Sequence, residues 1–254
     1  MARITLLGTG TCVPSLSRSA CAALVQTETE TLLIDSGPGT MRRLLEVGVS
    51  IDDLTGIFFT HIHPDHTAEL VPLLFATQYP ECRRTRPLQI YGGKGFGAFF
   101  EKLKGVYGGW IDPGPGLVSL TELSVAGRDL FHHGDLAVLT GPVVHRPESL
   151  ACRVVFSWGR SVVFSGDTGP SEDLVALAQG ADLFVCECST PDGEAVPHHL
   201  TPSLAGEMAK TAQVGTLVLT HFYPACDKVD IEKECRRTYD GQLVLGEDLK
   251  SFDL

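Results

Sequence analysis

The chain has 254 residues, of which 43% are hydrophobic and 20% charged, with a formal net charge of −11. That is enough to bury a substantial core and ordinary for a globular protein. The acidic balance opposes non-specific attraction to a polyanion, and no apolar run approaches the roughly 20 residues that span a bilayer.

Met1-Ala2-Arg3 leads directly into an alternating strand at Ile4–Leu7, so no signal peptide and a cytoplasmic location are expected. The strand ends in Gly8-Thr9-Gly10-Thr11, a turn-rich loop reaching Pro14, with no Gly-Lys-Ser/Thr to make it a phosphate cradle. Cys21–Gln26 and Thr31–Ile34 read as a hairpin that delivers Asp35 to a strand end. There its carboxylate could fix a ligand histidine or serve as a turn residue before a helix over Thr40–Val47. Both readings stand at this point.

The apolar run Gly56-Ile57-Phe58-Phe59 reads as a buried strand, and it is followed at once by His61, His63, Asp65 and His66. A loop at a strand end can turn several short polar side chains toward one point. Imidazole and carboxylate together suit zinc, manganese or iron, whereas calcium and magnesium prefer oxygen alone. Ala68–Gln78 and Gly95–Tyr107 follow as helices and Leu88–Tyr91 as a strand. The glycine- and proline-rich stretch Tyr107–Gly116 reads as a loop or a crossing between two halves.

The second half repeats the arrangement, with strands ending in ligand-type residues: Leu136–Val144 at His145, Ser161–Ser165 at Asp167, Leu183–Cys188 around Glu187, and Thr216–Thr220 at His221. Strands in groups with helices between them predict an α+β fold, a four-layer αββα sandwich of two sheets between outer helices, as one domain over residues 1–254. The eight cysteines form no Cys-x-x-Cys pair and read as buried small hydrophobes in a reducing cytoplasm. Arg83-Arg84 and Arg236-Arg237 read as short solvated runs, and His132, His133 and His198 as surface residues.

The His-x-His-x-Asp-His arrangement at residues 61–66 resembles the binuclear metal motif of the metallo-β-lactamase superfamily, over nearly the whole chain. The opening Leu-Gly-Thr-Gly-x-x-x-Pro-Ser-x-x-Arg-Ser and the segment His199-Leu200-Thr201 are similar to ribonuclease Z and its phosphodiesterase relatives. The resemblance implies that His61, His63 and His145 bind one metal, that Asp65, His66 and His221 bind the second, and that Asp167 bridges them. Seven N/O ligands would leave positions open for a water and a substrate oxygen, and water shared by two divalent cations is a nucleophile near neutral pH. It further implies that His199, paired with Glu187, protonates the leaving oxygen; a carboxylate against imidazole favours the charged form a general acid needs. The catalytic set is therefore Asp65, His199 and Glu187.

The sequence departs from ribonuclease Z in two places. Only 21 residues separate His145 from Asp167, too few for the tRNA-gripping arm, and His221-Phe222-Tyr223-Pro224 replaces Ser-x-Arg-Tyr beyond the last ligand. The expected activity is a dinuclear, zinc-dependent (or manganese- or iron-dependent) phosphodiesterase acting on a small anionic or cyclic diester. Ribonuclease Z activity on nucleic acid is the alternative, and hydrolysis of a lactone, thioester or aryl sulfate a further one. No membrane partner is expected, and a homodimer is compatible with the resemblance.

Overall fold

The computed structural model describes residues 1–254. Its layering follows from strands that alternate between two apolar environments rather than between apolar and wet ones. In the first sheet Leu6, Leu32, Ile34 and Phe58 face a core shared with the second sheet, while Leu7, Leu33, Ile57 and Phe59 face a separate core under helices. Both sets are apolar because both faces of the sheet are covered.

The first sheet contains β1 (Arg3–Gly8), β2 (Ala22–Gln26), β3 (Thr31–Ile34), β4 (Gly56–Phe58), β5 (Leu88–Gly93) and β6 (Val118–Leu123), with the C-terminal β14 (Ser251–Asp253) on the outer edge beside β1. The second contains β7 (Asp129–His133), β8 (Leu136–Pro142), β9 (Leu150–Val155), β10 (Ser161–Phe164), β11 (Leu183–Glu187), β12 (Thr216–Thr220) and β13 (Gln242–Leu245). Each sheet begins antiparallel and ends parallel: β3 to β6 run parallel in one, β10 to β13 in the other. Helices α1 (Thr40–Glu46), α2 (Pro64–Thr67), α3 (Leu70–Ala76) and α4 (Phe96–Tyr107) belong to the first sheet's connections, and Leu44, Leu70, Leu73, Phe96 and Phe100 from α1, α3 and α4 fill its outer core. Helices α5 (Glu172–Ala178), α6 (Pro202–Thr211) and α7 (Ile231–Cys235) cover the second through Leu174, Leu177, Ala205, Ala209 and Cys235. The αββα sandwich read from the sequence is therefore the fold.

Several expectations change. Tyr107–Gly116 is not the crossing: it holds one 3-10 turn (Gly108–Ile111) and leads into β6, which stays in the first sheet, so the chain crosses at residues 124–128. The helix expected over Ala68–Gln78 is split, α2 opening on Pro64 and α3 on Leu70, with Glu69 between them bonded to the amides of Gly39 and Met41 at 2.6 and 2.5 Å. That carboxylate caps the start of α1, a role that a continuous helix would not free it for. The cysteines are all free, but only Cys152, Cys186, Cys188, Cys226 and Cys235 are buried; Cys12 is exposed and Cys21 and Cys82 half-buried.

His133 is not a surface residue. It ends β7 on the inward side, with Nε2 2.8 Å from Thr55 Oγ1 and 3.2 Å from Glu30 Oε2, and Nδ1 3.1 Å from the Tyr91 hydroxyl. This ties the second sheet to the first at the end away from β4's loop. Arg84, too, is buried rather than solvated: its guanidinium donates to the carbonyls of Ile51 (2.9 Å), Pro87 (3.1 Å) and Leu54. Removing it strands buried acceptors, so Arg84→Met should cost about 3 kcal/mol in urea denaturation, while the exposed Arg83→Met stays within about 0.5 kcal/mol. Equal shifts for the two would contradict the buried role.

Candidate metal centre and active site

The site lies along one edge of the sandwich, at the C-terminal ends of strands from both sheets. β3 delivers Asp35, β4 the loop His61–His66, β10 Asp167, β11 Glu187 and β12 His221. β8 and β10 both run antiparallel to β9, so β8 ends on the same edge and delivers His145. Two glycines let these loops touch. A Cβ on Gly37 would lie 2.1 Å from the Asp65 carbonyl oxygen, and Gly166 turns with φ +57 where a Cβ would meet Thr60 Cβ at 2.8 Å. Asp35, His198 and His221 hold φ of 59, 65 and 60 without being glycine. Non-glycine residues in that region cost of order 1–3 kcal/mol and persist where the surroundings over-determine them.

Four of the five ligand imidazoles, those of His61, His66, His145 and His221, have Nδ1 held by the protein, which fixes the other nitrogen. His66 Nδ1 is 2.7 Å from Asp35 Oδ2, and His61 Nδ1 is 3.0 Å from Thr60 Oγ1, which itself donates to Asp35 at 2.8 Å. His221 Nδ1 is 3.0 Å from Ser189 Oγ, and His145 Nδ1 donates to the His198 carbonyl at 3.2 Å. Asp35 is thus the residue that orients the ligand histidine; α1 is not capped by it, because Gly39 holds that position. The free nitrogens converge on Asp167. Its Oδ1 is 3.2 Å from Nε2 of both His66 and His221, and its Oδ2 is 3.7 Å from His61 Nε2 and 3.8 Å from His145 Nε2. His145 Nε2 is in turn 3.2 Å from His63 Nδ1, and Asp65 Oδ2 is 3.7 Å from His221 Nε2 while accepting the Cys12 amide at 3.0 Å.

These atoms fit metal ions better than they fit one another. His61 Nε2 and Asp167 Oδ1 are buried with no hydrogen-bond partner, a costly state for groups of this polarity. Their spacings match the edge of a zinc tetrahedron, about 3.3 Å for Zn–N bonds near 2.05 Å. Burial pushes the Asp167 carboxyl up, but His221 and His66 hold it well below the usual carboxylate range, ionised as a ligand must be. Burial, reinforced by His66, holds the His61 imidazole well down and neutral. Burial opposes charge on His66 as well, yet Asp167 and Asp35 raise it well above its ordinary value, which marks that point as one where positive charge is favoured. His61, His63, His145 and Asp167 could hold one ion; Asp65, His66 and His221, with the other oxygen of Asp167, could hold a second.

Beside this cluster Glu187 Oε1 is 2.9 Å from His199 Nδ1, and the His199 ring stacks on His221 with centroids 5.8 Å apart. All nine residues expected at the site are therefore brought together. The sequence reading missed Ser189, whose hydroxyl donates to Glu187 Oε2 at 2.7 Å and meets both His199 Nδ1 and His221 Nδ1 at 3.0 Å. Its position two residues beyond Glu187, just past the end of β11, was the available signal. Thr60, the Cys12 amide and the ring of Tyr223 were also missed.

The description of the metallo-beta-lactamase superfamily matches residues 19–221. The chain belongs to that superfamily. It is 31% identical to a ribonuclease Z of Mycobacterium marinum over 279 aligned residues, covering 100% of this chain and 99% of that one. Among solved structures it is similar to the short form of human tRNase Z (26% identity, 99% and 98% of the two chains, TM-score 0.82) and to the metallo-β-lactamase fold protein YhfI of Bacillus subtilis (22%, 100% of each, TM-score 0.84). As a member it is a metal-dependent hydrolase, in a superfamily that typically binds two metals. Elemental analysis of purified protein should find about two transition-metal ions per chain, since one ion cannot use seven donors. Asp167→Ala should lower that content, and full occupancy in the variant would contradict the bridging role.

Proposed function

We propose that residues 1–254 act as one hydrolase domain, a dinuclear phosphodiesterase for a small or cyclic anionic phosphodiester. The observation that carries this reading is the Glu187–His199 pair beside the two-cluster centre, because a phosphodiester with an alkoxide leaving group needs both a held phosphoryl group and a proton. Metal ions bound by the two clusters would supply Lewis-acid stabilisation of phosphoryl charge and an activated water. The imidazole-rich donor set supports zinc, and eight free thiols support a reducing compartment such as the cytoplasm.

His199 holds the proton. Nδ1 is committed to Glu187, which leaves Nε2 as the nitrogen free to give up a proton, and the ring brings a nitrogen within 4.8 Å of a ligand atom of Asp167 and of His221. Burial pulls the His199 imidazole down, but the hydrogen bond to Glu187 and its charge leave it above its ordinary value, which favours the protonated form a general acid needs. Glu187 is itself held by the amides of Thr168 (2.6 Å) and Leu200 (3.1 Å) and by Ser189, so it cannot follow the proton out.

Ribonuclease Z activity on precursor tRNA is the second reading, supported by the relatives' names. Against it stand the short span between His145 and Asp167, in which β9 and β10 take 10 of the 21 residues, and the net charge of −11. Hydrolysis of a lactone, thioester or aryl sulfate could use the same centre, but it gives the Glu187–His199 pair less to do.

His199→Ala should lower turnover roughly 10²–10⁴-fold on a diester with a poor alkoxide leaving group, with metal content unchanged, and far less when p-nitrophenolate leaves. Wild-type activity on the alkoxide ester should fall as pH rises through the raised His199 value, since the acid is then lost. Equal losses on both leaving groups would remove the general-acid role. In a parallel comparison at equal metal loading, small diesters should exceed pre-tRNA in kcat/KM; a ten-fold advantage for pre-tRNA would overturn the compact-substrate reading.

A further inference from the structure

Apolar residues from four separate segments adjoin residues of the centre. Val13 follows Cys12, whose amide is bonded to Asp65. Val144 precedes His145, and Val196 offers its carbonyl to the His199 amide at 3.3 Å. Tyr223, two residues beyond His221, sets its half-buried ring edge-on to both His221 and His199, with centroids 6.1 and 6.5 Å apart and interplanar angles of 77°. The segments before His145 and His199 meet over Gly169: a Cβ there would lie 3.6 Å from Val144 Cγ1 and 3.4 Å from His198 Cα.

Val13, Val144 and Val196 are 39%, 44% and 45% exposed. One exposed valine needs no account, but exposed or half-buried apolar residues on four segments that each adjoin a polar, ligand-rich centre do. The three valine side chains cannot pair with a further phosphate, so a strand of nucleic acid laid across them would bring backbone charge onto apolar surface. A single flat apolar group attached to the scissile phosphate has the opposite fit. Its face would cover the valines, and its edge or face would meet the Tyr223 ring in the arrangements aromatic pairs prefer.

We propose that Val13, Val144, Val196 and Tyr223 form a subsite for an aromatic ring carried by the phosphodiester substrate, a nucleobase or an aryl group. The proposal rests on the phosphodiesterase reading and names the substrate class within it. Tyr223 is the aromatic contact and the valines are the wall. Tyr223 also stands where the sequence leaves the ribonuclease Z pattern, so the subsite belongs to this chain's own departure from it.

The test compares two probes that share a phosphoryl headgroup, phenylphosphonate and methylphosphonate, titrated calorimetrically into metal-loaded protein. Phenylphosphonate should bind about ten-fold more tightly or better, as expected for one ring on an aromatic contact. The ratio of the two affinities should collapse to within about three-fold in Tyr223→Ser and shrink in Val196→Thr, which guards against a folding defect at Tyr223. Equal affinities in the wild type, no binding of either probe, or a ratio that survives both substitutions would overturn the subsite. The hydrolytic reading fails separately: if phenylphosphonate is preferred and the preference depends on Tyr223, yet neither bis-p-nitrophenyl phosphate nor methyl p-nitrophenyl phosphate is cleaved, the subsite stands and the phosphodiesterase assignment falls. With both cleaved, the doubly aromatic ester should have the higher kcat/KM.

Discussion

The structure depends on keeping one carboxylate ionised where water cannot reach it. Asp167 is 3% exposed, and its two oxygens look toward different groups of imidazole nitrogens, one oxygen without any hydrogen bond. An isolated buried charge costs several kcal/mol even after relaxation. Only surroundings that supply positive charge on both sides can sustain it, and those surroundings come from loops far apart in sequence. The two sheets hold the loops in place. Their parallel halves end on one edge, so residues from positions 35 to 221 arrive within hydrogen-bond range of one another, and the Phe58–Phe164–Val185 core between the sheets fixes the spacing.

A second layer settles which nitrogen of each imidazole is free. Asp35 holds His66 directly and His61 through Thr60; Ser189 holds His221 and joins it to Glu187. Orientation and charge are coupled in this layer, because the carboxylate that fixes a tautomer also raises the basicity of the nitrogen left over. Ser189 links the cluster to the proton donor, since the hydroxyl bonded to Glu187 also lies against both His199 and His221. A change at Ser189 would disturb ligand and acid together, although Ser189 faces neither ion nor substrate.

Much of this was legible in the sequence for identifiable reasons. The ligands of the β4 loop lie within six positions of one another, and the remaining donors each follow an apolar run, so local pattern sufficed. The αββα layering was legible because strands come in groups with helices between them, and central strands such as β4 and β11 are buried along their whole length, as covered sheets require. Burial of polar side chains was not legible. Arg84 looks like its exposed neighbour Arg83 until three carbonyls from 51, 54 and 87 close around it, and His133 looks like His132 until the first sheet supplies Glu30, Thr55 and Tyr91. These contacts span 3 to 103 residues, and no local period encodes them. The crossing point was misplaced for a related reason: glycine and proline mark where a chain can turn, not which sheet it joins afterwards.

Charge balance connects the site to the kind of substrate proposed. Asp35, Asp65, Asp167 and Glu187 place four carboxylates within and behind the centre, enough to offset two divalent cations, and a protonated His199 would add one positive charge. With both ions bound and His199 protonated, the balance left for a ligand would be close to a single positive charge. A phosphodiester brings one negative charge and a phosphomonoester up to two, so the diester is the better match before any contact to its organic part is counted. The same arithmetic explains how a chain with a net charge of −11 can still attract an anion: the attraction is confined to a centre that water does not screen. A longer polyanion would have most of its charge outside that centre, against a chain whose net charge of −11 opposes its approach.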